Sequence, residues 1–190
     1  VIKDNLEIII CPPYPFIYYL KDKLQSFPFC KIGAQDISYF GRGAYTGEVP
    51  SETLFGIVDY VIIGHSERRY YFEETSEILF QKNNRAIQQK ISPIFCIRDS
   101  GDLIPPKAQF VAYEPIVAIG TGKNESVENV LAFKKRLHLD KTKRFIYGGS
   151  VNENTISEYA RCNEIDGFLI GSASLHALYL IKMMYHILSL

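Results

Sequence analysis

Seven short apolar runs alternate along this chain with longer stretches of helical pattern, and that alternation constrains the fold more than any other feature. The runs are Leu6 to Cys11, Cys30 to Ala34, Val58 to Ile63, Pro93 to Ile97, Phe110 to Tyr113, Arg144 to Tyr147 and Phe168 to Ile170. The first holds Ile8-Ile9-Ile10 and closes on Pro12-Pro13. Unbroken apolar runs of this length suit strands covered on both faces. Between them, Pro15 to Lys23, Thr75 to Lys90, Val127 to Leu137 and Asn154 to Arg161 read as helices, with Pro15 in a first turn and Ser126 as a cap. Ile78, Leu79, Ile87 and Ile91 fall roughly on one helical face. Strand and helix in alternation, over short connections, imply parallel strands and right-handed crossovers. An open doubly wound sheet and a closed barrel both fit. Chemistry-bearing residues at the ends of several strands favour the barrel. Here they are Gln35, His65, Glu114 and the turn Gly148-Gly149-Ser150. No linker interrupts the pattern, so residues 1–190 read as one α/β domain.

Composition narrows the partners. The chain is 47% hydrophobic and 22% charged, with a formal net charge of zero. That is an ordinary globular balance, with no electrostatic case for nucleic acid or an anionic membrane. Cys11, Cys30, Cys96 and Cys162 are scattered, with no C-x-x-C. They read as reduced thiols of a cytoplasmic protein, and neither they nor the acids show metal-ligand spacing. No cofactor is implied. Lys182 and His186 interrupt the apolar tail from Ala177 to Leu190, which therefore reads as a docked helix rather than a membrane span. The chain begins at Val1 without methionine and with no visible signal peptide. Its start reads as missing or processed, which leaves an organelle copy open.

The densest chemistry lies in Ala112-Tyr-Glu-Pro-Ile-Val-Ala-Ile-Gly-Thr-Gly-Lys123. An uncharged strand delivers one carboxylate, Glu114, and Pro115 then stops the strand because it has no N–H for the ladder. Ile116 to Ile119 and Gly120-Thr-Gly122 follow, the composition of a flap with a stiff entry and a glycine exit. A carboxylate beside a lid that excludes water suits a general base for carbon-acid chemistry. In Ile62-Ile-Gly-His-Ser-Glu-Arg-Arg69, His65 ends a strand and Ser66-Glu67 opens a helical turn. A histidine at the positive end of a helix dipole is held neutral, and a neutral imidazole can polarise a carbonyl. Two glycine turns, Tyr147-Gly-Gly-Ser-Val-Asn152 and Leu169-Ile-Gly-Ser-Ala-Ser-Leu175, each follow a strand. Backbone N–H groups in such turns cradle a phosphate dianion. Gly33-Ala-Gln-Asp36 and Gly43-Ala-Tyr-Thr-Gly-Glu48 bracket a long loop of the kind that usually carries function.

These motifs, in this order, closely resemble those of the triosephosphate isomerase family. The resemblance implies an incomplete (β/α)8 TIM barrel of about seven parallel strands. It also implies interconversion of dihydroxyacetone phosphate and D-glyceraldehyde 3-phosphate, in glycolysis and gluconeogenesis. Glu114 would be the base and His65 the electrophile, a pairing for which this family is itself a standard worked case. Gly120, Ser150, Gly171 and Ser172 would hold the substrate phosphate, with Ser66, Glu67, Cys96 and Tyr147 in support. The 36–50 loop, with Gln35 and Thr46, would join two copies into a homodimer.

Departures accompany the match. The family opens on a strand bearing an asparagine and a catalytic lysine, whereas the resemblance here begins one strand and one helix later. Lys3, at the wrong end of the second strand, is no substitute. Losing such a cation costs roughly 2.7–4 kcal/mol of transition-state stabilisation. The family's helix after the fifth strand is replaced by Ile97 to Gln109 with Pro105-Pro106 inside, which is expected to bare apolar flank. Arg98-Asp99 stands for Gly-Glu, Val117 for the lid's tryptophan, and Ser172 for a glycine. Ser172 would be strained by about 1–2 kcal/mol if its φ had to be positive. A second reading is a non-catalytic relative or partial gene product that serves as a phosphate-binding or pairing subunit.

Overall fold

The computed structural model describes residues 6–115 and 124–190, which fall into two compact units. The N-terminal unit carries β1 (Ile8–Ile10), α1 (Tyr14–Lys23), β2 (Cys30–Ala34), α2 (Ser51–Leu54), β3 (Tyr60–Ile63), α3 (Ser66–Tyr71), α4 (Ser76–Gln88) and β4 (Ser92–Ile97) up to Cys96, while Ile97 itself belongs to the C-terminal unit. Its strands are parallel in sequence order, with Ile10 beside Ile32, Ala34 beside Val61 and Ile63 beside Phe95. Ala34, Val61, Ile63 and Phe95 are fully buried, as an apolar strand covered on both faces requires.

The C-terminal unit carries β5 (Phe110–Tyr113), α5 (Val127–Arg136), β6 (Arg144–Tyr147), α6 (Ile156–Ala160), β7 (Gly167–Phe168) and α7 (Ala177–Leu188), with a 3-10 turn at Ser172–Leu175. Again the strands are parallel and sequential: Tyr113 lies beside Tyr147, and Tyr147 beside Phe168. The seven strands expected from the apolar runs are all present. Strand β7 is shorter and one residue earlier than the run Phe168 to Ile170 suggested, because Leu169 and Ile170 belong to the turn that follows.

Local chemistry sets the helix starts. Thr75 accepts from the Ile78 N–H at the head of α4, and Ser126 from the Asn129 N–H at the head of α5. The buried face of α4 differs from the apolar stripe read in the sequence: it is Leu79, Lys82, Asn83 and Ala86. Lys82 is tolerated there because it donates to Asp36 and to Glu74 Oε1, so its charge is paired. No helix separates Ile97 from Phe110, as expected, and the stretch instead turns through Asp99–Asp102 and Pro105–Ala108. Large apolar side chains do lie bare: Tyr18 and Tyr19 on α1, Tyr70, Tyr71 and Phe72 at α3, and Leu178 and Tyr185 on α7. Met183 is nevertheless fully buried, so α7 is docked.

Candidate functional site

Glu114 leaves the C-terminal end of β5 and is only 2% exposed. Its N–H donates to the Ile97 carbonyl at 2.8 Å, and the preceding carbonyl, of Tyr113, accepts from Gly148 N–H at 2.8 Å. The carboxylate stem lies against the Gly148–Ser150 turn: a Cβ on Gly148 would come within 3.0 Å of Glu114 Cγ. The acid thus sits beside one of the two glycine turns expected to hold phosphate. The other follows β7, the neighbour of β6, so both turns leave the same ends of paired strands. Gly171 precedes the 3-10 turn with open space where a side chain would be, and its carbonyl accepts from Ser174 N–H at 2.9 Å. The strain considered for Ser172 does not arise: it opens the 3-10 turn and is not among the positive-φ residues described. Gly120 and Val117, with the rest of 116–123, lie outside the described residues.

Gly149 is fixed by a neighbour's bulk. A Cβ there would meet the Tyr147 hydroxyl at 2.2 Å, so the ring needs a glycine to lie over. Tyr147 itself is fully buried and stacks on Tyr159 at 4.8 Å between centroids.

In the N-terminal unit, His65 is the N-cap of α3, and its Nδ1 accepts from Glu67 N–H at 3.3 Å. The Glu67 carboxylate is 3.7 Å from the same nitrogen, beyond hydrogen-bonding distance. The closer contact assigns the tautomer: Nδ1 accepts, which places the ring proton on Nε2. Gly64 before it has φ +74°, and a side chain there would strike Arg69 and Leu79 at 3.0 Å. The motif reading missed Arg69. It is nearly buried, and it donates from Nε to the Gly64 carbonyl at 2.8 Å and from a terminal nitrogen to the Cys96 carbonyl at 2.7 Å. It thereby ties the ends of β3 and β4, and Cys96 contributes backbone rather than thiol to that tie. The signal was available, since Arg69 follows His65 by four residues and so shares its helical face.

Gln35 donates to the Cys11 carbonyl at 3.1 Å, and Thr46 stands exposed on the long loop. That loop is closed at its base by Ser38 N–H on the Val49 carbonyl at 2.9 Å, and Phe40 stacks on Tyr45 at 4.0 Å. Beside it opens a cleft of about 310 Å³ lined by Tyr14, Asp36, Arg68, Phe72, Glu74 and Lys82 among others. Arg98 and Asp99, at the end of β4, are both occupied locally. Arg98 grips Asp102 with two nitrogens at 3.0 and 2.9 Å, and Asp99 accepts from Gly101 N–H at 2.7 Å. Among the described residues no group of three or more His, Cys, Asp or Glu is placed for a metal, and no helix is long and apolar enough to cross a membrane.

Parallel strands that carry an acid, an imidazole and glycine turns at their C-terminal ends define an α/β chain of the barrel-enzyme class. Within that class, the family model described as triosephosphate isomerase matches residues 1–103 and 105–187, and the chain belongs to that family. It is an incomplete (β/α)8 barrel, with seven parallel strands described. A triosephosphate isomerase of Dehalococcoides mccartyi is 37% identical over 204 residues, covering 92% of this chain and 80% of that protein. One of Dictyoglomus turgidum is 36% identical over 206 residues, covering 90% and 82%. One of Endomicrobium trichonymphae is 32% identical over 207 residues, covering 92% and 82%.

Proposed function

We propose that this chain interconverts dihydroxyacetone phosphate and D-glyceraldehyde 3-phosphate without a cofactor. The family membership supports the reaction, and one observation carries the site: Glu114 is buried at a strand end against a glycine turn suited to phosphate. Glu114 takes a proton from the carbon beside the carbonyl, leaving an enediolate, and returns it to the neighbouring carbon. His65, with its proton on Nε2, donates to the carbonyl oxygen as negative charge builds there. Ser150 and the N–H groups around Gly171 and Ser172 hold the phosphate, with Gly120 closing over it. Exclusion of water suppresses loss of phosphate from the enediolate.

The protein acts in the cytoplasm, in glycolysis and gluconeogenesis, as a homodimer through the 36–50 loop. The exposed tip around Thr46, and the adjoining cleft in which Glu74 Oε2 is buried without a partner among the described residues, support that pairing.

The test is isomerase turnover by the purified chain in a coupled assay, beside Glu114→Gln and His65→Gln. Both variants should lose a hundredfold or more in kcat. Equal rates for the parent and Glu114→Gln would eliminate the assignment.

A further inference from the structure

We propose that Arg69 is a positioning residue for His65, holding the backbone on both sides of the imidazole. The proposal rests on His65 being the electrophile of the isomerisation. The Arg69 Nε donates to the Gly64 carbonyl at 2.8 Å, and that carbonyl belongs to the peptide that enters His65. The Arg69 N–H donates to the His65 carbonyl at 3.1 Å, in the peptide that leaves His65. One residue thus grips both peptide planes that meet at the His65 Cα. A terminal nitrogen of the same guanidinium donates to the Cys96 carbonyl at 2.7 Å. Gly64 and Cys96 each lie one residue past the paired Ile63 and Phe95, so the grip is braced against the neighbouring strand.

The place where β3 breaks needs such a brace. Gly64 has φ +74°, and His65 follows at φ −48° and ψ 142°. A glycine has no side chain to fix its dihedrals, so the direction of the next peptide is set by whatever holds that peptide's carbonyl. A guanidinium does this well, because its bonds are charge-assisted and its nitrogens sit in a rigid plane. It has little room to shift. Arg69 is 9% exposed, its guanidinium lies 5.8 Å from the centre of the Phe95 ring, and a methyl on Gly64 would stand 3.0 Å from its terminal nitrogen. Fixing the backbone fixes the cap in which Nδ1 accepts from Glu67 N–H, and with it the direction of the Nε2 proton. About 1 Å of misplacement at a reacting group can cost a hundredfold. Releasing the guanidinium loosens the aim of the imidazole, not the hold on phosphate.

The experiment compares Arg69→Met, Arg69→Lys and the Arg69→Met/His65→Gln double variant, with His65→Gln alongside. Arg69→Met keeps a long apolar stem and loses every side-chain donor. Per folded molecule, its kcat should fall about tenfold with KM within twofold. Arg69→Lys keeps a charged donor that can reach one carbonyl, and should recover part of the loss. The double variant should be no slower than His65→Gln, because Arg69 acts only through His65. A kcat in Arg69→Met within twofold of the parent, a loss that only tracks folded fraction, or an added loss in the double variant overturns the proposal. Nitrogen-15 NMR of histidine-labelled protein gives a second readout. The parent should show His65 protonated on Nε2, and Arg69→Met a mixture of the two tautomers; identical spectra overturn the role. Should Arg69→Met not fold, Arg69→Lys carries both readouts, and a parental kcat with a parental spectrum overturns it. If His65→Gln is impaired while Arg69→Met is not, the positioning role alone fails. If His65→Gln is as active as the parent, the electrophile assignment fails and takes the role with it. Should the parent show no turnover, the nitrogen spectra decide.

Discussion

The Lys82 ammonium donates to both carboxylate oxygens of Asp36, at 2.7 Å each. Glu74 Oε1 takes the same ammonium at 2.6 Å, and Arg68 reaches Asp36 at 3.0 Å and Glu74 at 2.7 Å. Two acids and two bases from the loop after β2, α3, α4 and the α3–α4 connection thus form one part-buried cluster at the foot of the 36–50 loop.

That cluster has a pH signature. Burial pushes the Asp36 carboxyl up from 3.8 to about 6, outweighing the attraction of Lys82 and Arg68, and Glu74 pushes the same way. A folded value above the unfolded one means the native state binds the extra proton between about pH 4 and 6. Stability from this group is therefore greatest below that window, falls as pH rises through it, and is flat above. Urea melts of the parent and Asp36→Asn from pH 4 to 8 check the sign. The parent's stability relative to the variant should decline towards pH 6 and then level. A relative gain over the same interval would mean that pairing, not burial, dominates.

Asn83 is fully buried on α4, and neither Nδ2 nor Oδ1 has a hydrogen-bond partner among the described residues. A buried amide without partners costs about 1–3 kcal/mol. Asn83→Leu, which keeps the branched skeleton and removes both polar atoms, should therefore stabilise the chain by roughly 1–2 kcal/mol. A lowered urea midpoint would refute this.

Gly149→Ala should destabilise. The new methyl would overlap the Tyr147 hydroxyl and Cζ, at 2.2 and 2.3 Å, and that ring is buried and stacked on Tyr159. Overpacking of this sort costs about 1–3 kcal/mol. The same shift would disturb the turn that carries Ser150, so inhibition by inorganic phosphate should weaken as well. A variant with parental melting and parental phosphate inhibition would contradict the geometry.

The Cys11 thiol is pushed up to about 12 by burial, so almost none is thiolate near neutral pH. In the native protein Cys11 should resist alkylation at pH 7.5 and react once urea unfolds the chain. Mass spectrometry of labelled peptides reads this directly, and rapid native labelling of Cys11 would refute the burial argument.

Much of the fold was legible because strand and helix announce themselves locally. A β-branched run such as Ile8–Ile10, or a cap such as Ser126, has the same meaning in any context. Glu114 and His65 were legible for a related reason: proline and glycine beside them mark where a strand must end. Arg69, Lys82, Asp36 and Glu74 were not. Each is a charged residue of a type usually solvated, and each acquires its role only from partners the fold brings to it, such as Asp36 for Lys82 and the Cys96 carbonyl for Arg69.

The order of elements and the placement of acid, imidazole and glycine turns at strand ends were determined by the sequence, because backbone stereochemistry and apolar patterning act over a few residues. Which polar groups were taken out of water, which carbonyls Arg69 would satisfy, and which face α4 would bury were decided by tertiary structure. Desolvation and pairing depend on what the folded chain brings within about 3 Å, and no local pattern encodes that distance.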